Sequence, residues 1–134
     1  MVLLEWRNEF RIGIPEVDHE HQELIALINA LHEPVAREGQ TAVSAFLGEL
    51  SARIAAHFAL EEKVMRANHY AEYEDHKQDH ERLLDEIGDI MHGYELEGRY
   101  DAASLSTTLN RWFTEHFRTR DARLHAVLKV PFHP

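Results

Sequence analysis

The sequence predicts an all-α protein: an antiparallel up-down-up-down four-helix bundle with an irregular N-terminal arm (residues 1–17) and a short C-terminal helix in the tail 121–134. Three observations predict it. Four stretches carry apolar residues at the three- and four-residue spacing of a single helix face. The connections between them are only a few residues long, which makes successive helices antiparallel neighbours. Histidines and carboxylates on those faces lie near the starts of the first and third helices and the ends of the second and fourth. In an antiparallel bundle these places are one and the same end.

Residues 1–17 show no sustained period and are interrupted by Gly13 and Pro15, leaving Trp6, Phe10 and Ile14 to pack against the helices. Asp18 is the expected N-cap of a first helix reaching about Arg37, with Gly39 as its stop. On it Leu24, Ile28, Leu31 and Val35 continue one stripe from His21. His21 therefore faces inward, and His19, nearly opposite, faces solvent. Thr41 is the expected cap of a second helix to about Ala67, with Phe46, Leu50, Ile54, His57, Glu61 and Val64 inside. Glu62 falls ~140° round the axis from His57 and is expected outside. A third helix runs from about Ala71 to Glu97 and ends at Gly98, with Tyr73, His76, His80, Leu83, Ile87, Ile90 and Tyr94 on its stripe. Asp101 caps a fourth, which turns Leu105, Leu109, Trp112, Phe113 and His116 to one side. A terminal helix spans roughly Asp121 to Lys129, before Pro131.

Composition narrows the function. At 134 residues and 44% apolar, the chain reads as one domain, 1–134, with a single core. No apolar run approaches the ~20 residues of a membrane span, and the opening Met-Val-Leu-Leu-Glu-Trp-Arg is too short and too quickly charged for a signal peptide. A cytoplasmic location is the default expectation. The absence of cysteine excludes disulfides, thiolate metal sites and cysteine nucleophiles. A formal charge of −10 disfavours nucleic acid and anionic membranes as partners. Eleven histidines in so short a chain are the anomaly.

Their spacing gives the chemistry. Residues four apart on a helix sit one turn apart and only ~40° round the axis, so His57 pairs with Glu61 and His76 with His80. Imidazole with carboxylate suits iron, zinc or copper better than magnesium or calcium. His32, on the same face as His21 but three turns away, is expected to serve bundle packing. His69, His92, His125 and His133 read as loop, surface and tail residues. Arg118, Arg120 and Arg123 have no role beyond charge balance.

These residues resemble the hemerythrin family, in particular its single-domain bacterial members. The resemblance rests on Trp6, on Gly13-Ile-Pro-Glu-Val-Asp-His-Glu-His21, on His57-Phe-x-x-Glu61-Glu62-x-x-Met65, on His76-x-x-x-His80 and on Trp112-x-x-x-His116-x-x-x-x-Asp121. It covers essentially the whole chain, in order. It implies a di-iron centre, oxo- or hydroxo-bridged, with His76, His80 and His116 on one iron, His21 and His57 on the other, and Glu61 and Asp121 bridging. It also implies that Leu24, Phe58, Trp112 and Phe117 line an apolar oxygen pocket, although Phe117 stands where the family carries an aliphatic residue.

On that ligand set, two irons of octahedral preference need about twelve positions. Five imidazoles, two bridging carboxylates and a shared oxide leave one open, which O2 can take. The ferritin-like di-iron bundles use four Glu and two His in paired Glu-x-x-His motifs, of which Glu16-x-x-His19 is a lone, outward-facing match here. An imidazole-rich shell favours reversible binding over oxidation of a substrate. The expected function is therefore O2 carriage, storage or delivery, without catalysis and with no delivery partner identified. A sensor of oxygen, redox state or nitric oxide, a di-iron peroxidase or oxidase, and a bundle holding zinc stay open as alternatives. No transducing domain lies within the 134 residues, which weighs against the sensor.

The spacing also holds one conflict. Asp121 lies five residues after His116, ~140° away on a regular helix. Both reach one metal pair only if the backbone departs from α geometry between Phe117 and Asp121.

Overall fold

The computed structural model describes residues 3–11 and 13–128. Their regular structure is helical, in the order α1 (Pro15–Glu38), α2 (Val43–Ala67), α3 (Tyr73–Glu97), α4 (Ala102–His116) and α5 (Ala122–Val127). They contain no strand. The four long helices form the expected bundle around a continuous core in which Ile28, Leu50, Ile54, Leu83, Ile87, Leu105 and Leu109 are sealed from solvent. Antiparallel order shows at both ends. His32, late in α1, packs its ring on Phe46, early in α2, and on Tyr100, just before α4. At the other end the late residues of α2 meet the early residues of α3, with His76 Nε2 3.2 Å from Glu61 Oε1.

Two expected helix starts are displaced. α1 begins at Pro15, not after Asp18, because proline at the first helical position has its φ already set and no N–H to lose. Asp18 sits inside the first turn, and its Oδ2 accepts from the Gly13 N–H at 3.2 Å. The arm is thus shorter than 1–17. α2 begins at Val43 after a 3-10 turn, Gly39–Ala42. Thr41 does not cap it; its hydroxyl donates backward to the Glu38 carbonyl. The other boundaries agree with the sequence reading. Asp101 Oδ1 accepts from the Ala103 and Ser104 N–H groups, and Gly98 closes α3 in the left-handed region at φ 70°.

The arm is not loose. Asn29 of α1 pairs with the Leu4 main chain in both directions, its Oδ1 accepting at 2.9 Å and its Nδ2 donating at 2.8 Å. Phe10 is fully buried, edge-on to both Trp6 and Phe117. His19, His69 and His92 are exposed or partly exposed, as expected. His125 is not: it is 5% exposed, because α5 continues α4 through the π turn, burying His125 and packing Leu124 on Met65 and Tyr70. Lys129, the expected end of that helix, and His133 lie outside the described residues.

Candidate metal centre

The seven residues that the resemblance assigns to the metals meet at one end of the bundle, contributed by α1, α2, α3, α4 and the turn after α4. Their exposure ranges from nil at His80 to 11% at the His57 side chain. The turn resolves the conflict over Asp121. Phe117–Asp121 is a π-helical turn between α4 and α5. Its i→i+5 bonding brings the fifth residue back over the first, so His116 and Asp121 face the same way. Nε2 of His116 then lies 3.0 Å from Asp121 Oδ1.

The two carboxylates divide the imidazoles into two sets. Glu61 turns Oε1 toward His76 and His80, at 3.2 Å each, and Oε2 toward His57 at 3.6 Å. Asp121 turns Oδ1 toward His76 and His116, at 3.1 and 3.0 Å, and Oδ2 toward His21 at 3.1 Å. Between them, Oε1 and Oδ1 face three imidazoles, and Oε2 and Oδ2 face the other two.

Buried polar atoms are almost always hydrogen-bonded. Here Nε2 of His80, Nε2 of His116 and Oδ1 of Asp121 are buried, close together and without an aligned hydrogen bond. Lone pairs that converge without a proton between them fit a cation. The absence of thiolates and the mix of imidazole and carboxylate fit iron, zinc or copper.

Outer contacts hold two of the rings. His80 Nδ1–H donates to Glu62 at 2.8 Å, and His116 Nδ1–H donates to Asp79 at 2.7 Å. Each bond fixes the tautomer that leaves Nε2 unprotonated and facing the centre. Glu62 is therefore not turned away, as its angle from His57 alone implied. The helices cross, and a glutamate on the flank of α2 reaches the flank of α3. Asp79 was missed by the sequence reading. It lies outside the α3 stripe, and its partners are on another helix or in its own next turn. Its carboxylate takes Arg82 at 2.6 Å and lies near Arg120, while Trp112 Nε1–H donates to its main-chain oxygen at 3.2 Å. Arg120 and Arg123 also pair with Asp75 and Glu72, tying the π turn and α5 to the start of α3. That gives two of the three tail arginines a structural role.

The aromatic residues expected to line a pocket stack on the imidazoles. Phe58 lies flat on His80 with centroids 3.8 Å apart, Trp112 on His116 at 4.2 Å, and Phe117 on His21 at 3.6 Å. Leu24 is buried in the core one turn beyond His21.

The metal-free charges balance internally. Burial pushes His76 down, but its contacts with Asp121 and Glu61 outweigh this and raise it to about 9. Burial likewise opposes, and the carboxylates still raise, His57 and His116. Glu61 and Asp121 are pushed up by burial, and Glu61 also by the Asp121 charge, yet the imidazoles hold both well below the ordinary carboxylate range. By linkage, raised imidazoles contribute stability that is complete below their unfolded value of 6.5 and is lost as pH rises through the folded values, about 9 for His76. Depressed carboxylates contribute stability present above their unfolded values of 4.5 and 3.8 and lost as pH falls through the lower folded values. Metal-free protein is therefore expected to melt highest between pH 4.5 and 6.5. Metal needs neutral imidazoles, so loading at pH 7 should release protons, and release should shrink above pH 9. Thermal melts and proton release by pH indicator, with and without metal, check both.

A bundle whose helices each send imidazole or carboxylate groups to one buried point belongs to the class of non-haem metal-binding helical proteins. Residues 12–128 match the family model "Hemerythrin HHE cation binding domain", and the chain belongs to that family. It is 30% identical over 121 residues to a bacteriohemerythrin of Stenotrophomonas maltophilia, covering 90% of this chain and 78% of the relative. A bacteriohemerythrin of Methylococcus capsulatus is 26% identical over 120 residues, covering 87% and 89%. A hemerythrin-like protein of Naegleria gruberi is 23% identical over 123 residues, covering 92% of each. No described helix is long and apolar enough to cross a membrane.

Proposed function

We propose that the chain binds O2 reversibly at a di-iron centre. In this reading His76, His80 and His116 hold one iron, His21 and His57 the other, and Glu61 and Asp121 bridge them. The observation that carries it is the division of the carboxylate oxygens, Oε1 and Oδ1 toward three imidazoles, Oε2 and Oδ2 toward two. A single ion would not require that partition. When bound, the iron pair would supply two exchangeable electrons and a position for a diatomic ligand.

The protein's own groups do the rest. Asp79 and Glu62 orient His116 and His80, and Phe58 and Trp112 brace the same two rings from the side. Phe117 covers His21, on the side with fewer ligands, and with Leu24 excludes water and anions there. A bulky ring in that place narrows access to the open position.

Optical spectra of the reduced, iron-loaded protein test the reading. Admitting O2 should produce a charge-transfer band in the visible, with one O2 taken up per iron pair and no second substrate consumed. Lowering the oxygen pressure should remove the band. Irreversible oxidation to the ferric state, or steady consumption of a reductant, would replace the carrier with an oxidase.

A further inference from the structure

Outside the metal centre, one surface stands against the charge of the chain. An open groove of about 840 Å³ runs along the outer face of α4, from the arm to the π turn. Arg7, Arg111 and Arg118 converge on it, all exposed. Arg7 and Arg118 have no acidic partner within 4.0 Å among the described residues, and Arg111 only a long contact, 3.7 Å, with Glu86. Three arginines meeting on one face are notable where 24 acidic residues outnumber 14 basic ones. Among the described residues, Glu115 is the one carboxylate lining the groove.

The groove does not have the chemistry of a fitted anion pocket. Its hydroxyls are already turned inward: Thr107, Thr114 and Thr119 each donate to the carbonyl four residues earlier. The donors left for a ligand are long arginine heads on an open surface, which suits a large acidic face more than a small anion. Beside the groove, and sharing Arg111 and Glu115 with it, a cavity of about 90 Å³ is lined by Arg82, Asp79 and Trp112. Trp112 stacks on His116 at 4.2 Å and 15° between planes. One aromatic contact therefore joins the arginine face to a ring of the metal centre.

We propose that the Arg7–Arg111–Arg118 groove docks an acidic, one-electron carrier protein, and that Trp112 and His116 lie between the docked carrier and the metal centre. This rests on the iron reading above. Each encounter would oxidise the carrier by one electron and deliver that electron to the centre, so two encounters would reset a fully oxidised di-iron pair held there. Electron-transfer contacts are small, transient and charge-guided, which an open three-arginine surface fits. Elsewhere the chain, at −10, repels an acidic partner, so this face sets the orientation of docking.

The probe is an acidic [2Fe–2S] ferredoxin, titrated calorimetrically in its oxidised form into the iron-loaded ferric protein. Arg111→Glu with Arg118→Glu should weaken binding at least tenfold. Arg37→Glu with Arg53→Glu makes the same change in net charge elsewhere and should weaken it less than threefold. Equal losses in the two pairs, or no binding by the unaltered protein, would overturn the proposal. So would saturable binding of inorganic phosphate that the Arg111/Arg118 pair abolishes, which would make the groove a small-anion site. Concentration-dependent self-association abolished by the same pair would make it a contact between copies. With reduced ferredoxin, the Arg111/Arg118 pair should also slow ferredoxin oxidation at least tenfold. Docking is read independently of oxygen, so a protein that docks ferredoxin but fails to bind O2 reversibly defeats only the carrier reading.

Discussion

On the di-iron reading proposed above, Asp121→Ala is expected to cut bound iron from about two per chain to one or fewer, with the bundle still folded. The carboxylate touches rings from α1, α3 and α4 and is the only group that reaches His21 on one side and His76 and His116 on the other among the described residues. Losing an outer-shell partner already costs roughly 10–100-fold in metal affinity, and losing the bridging ligand proposed for Asp121 should cost more. The aliphatic core lies further along the bundle, so the helical far-ultraviolet signal should persist. Asp121→Asn separates charge from shape: it keeps the volume but removes the negative charge that balances the imidazoles. Iron content, measured on chelator-washed protein, should fall in both variants. Retention of two irons in Asp121→Ala would remove this residue from the centre, whatever the π turn does to its direction.

The sequence revealed most where a residue's environment is its own helix. The long helices follow their apolar stripes through the core, although at the end of α2 Met65 is sealed and Val64 only half-buried, and the gathering of histidines at one end came from short loops alone. Even the need for a distorted turn before Asp121 was legible, because an angular conflict between two residues of one helix is arithmetic. What escaped were relations between helices and beyond regular pattern. Asp79 sits off its stripe, and only the approach of α4 makes it the partner of His116. Glu62 was placed by its angle from His57, but its position relative to α3 decides its contact. His125 looked like a tail residue because nothing local signals that α5 continues α4 and is covered by the end of α2 and the loop after it. The helix starts at Asp18 and Thr41 failed for another reason: a proline at the first position and a 3-10 turn compete with side-chain caps and won.

Asp79→Ala is expected to lower metal affinity by roughly 10–100-fold. The lost bond is the one that fixes the His116 tautomer; burial pushes Asp79 up, but the His116 bond and the charges of His116, Arg120 and Arg82 hold it low, so it accepts. Trp112 keeps its anchor in the variant, because its acceptor is the main-chain oxygen of residue 79. The indole stack on His116 should therefore survive and the effect should report on the proton at Nδ1. Asp79→Asn sharpens the test. An amide can turn its NH2 toward Nδ1, which favours the tautomer with the proton on Nε2, where the metal belongs; a similar exchange at a catalytic His–Asp pair costs about 10⁴ in rate. Asn should thus be no better than Ala despite its closer shape. Glu62→Ala should cost less, because the Glu62 side chain is 15% exposed and water can replace it at His80. Competition with a chelator of known strength ranks the three variants. A melting temperature that falls while affinity stays level would make Asp79 a structural ion-pair residue for Arg82 and Arg120, with no hold on the metal centre.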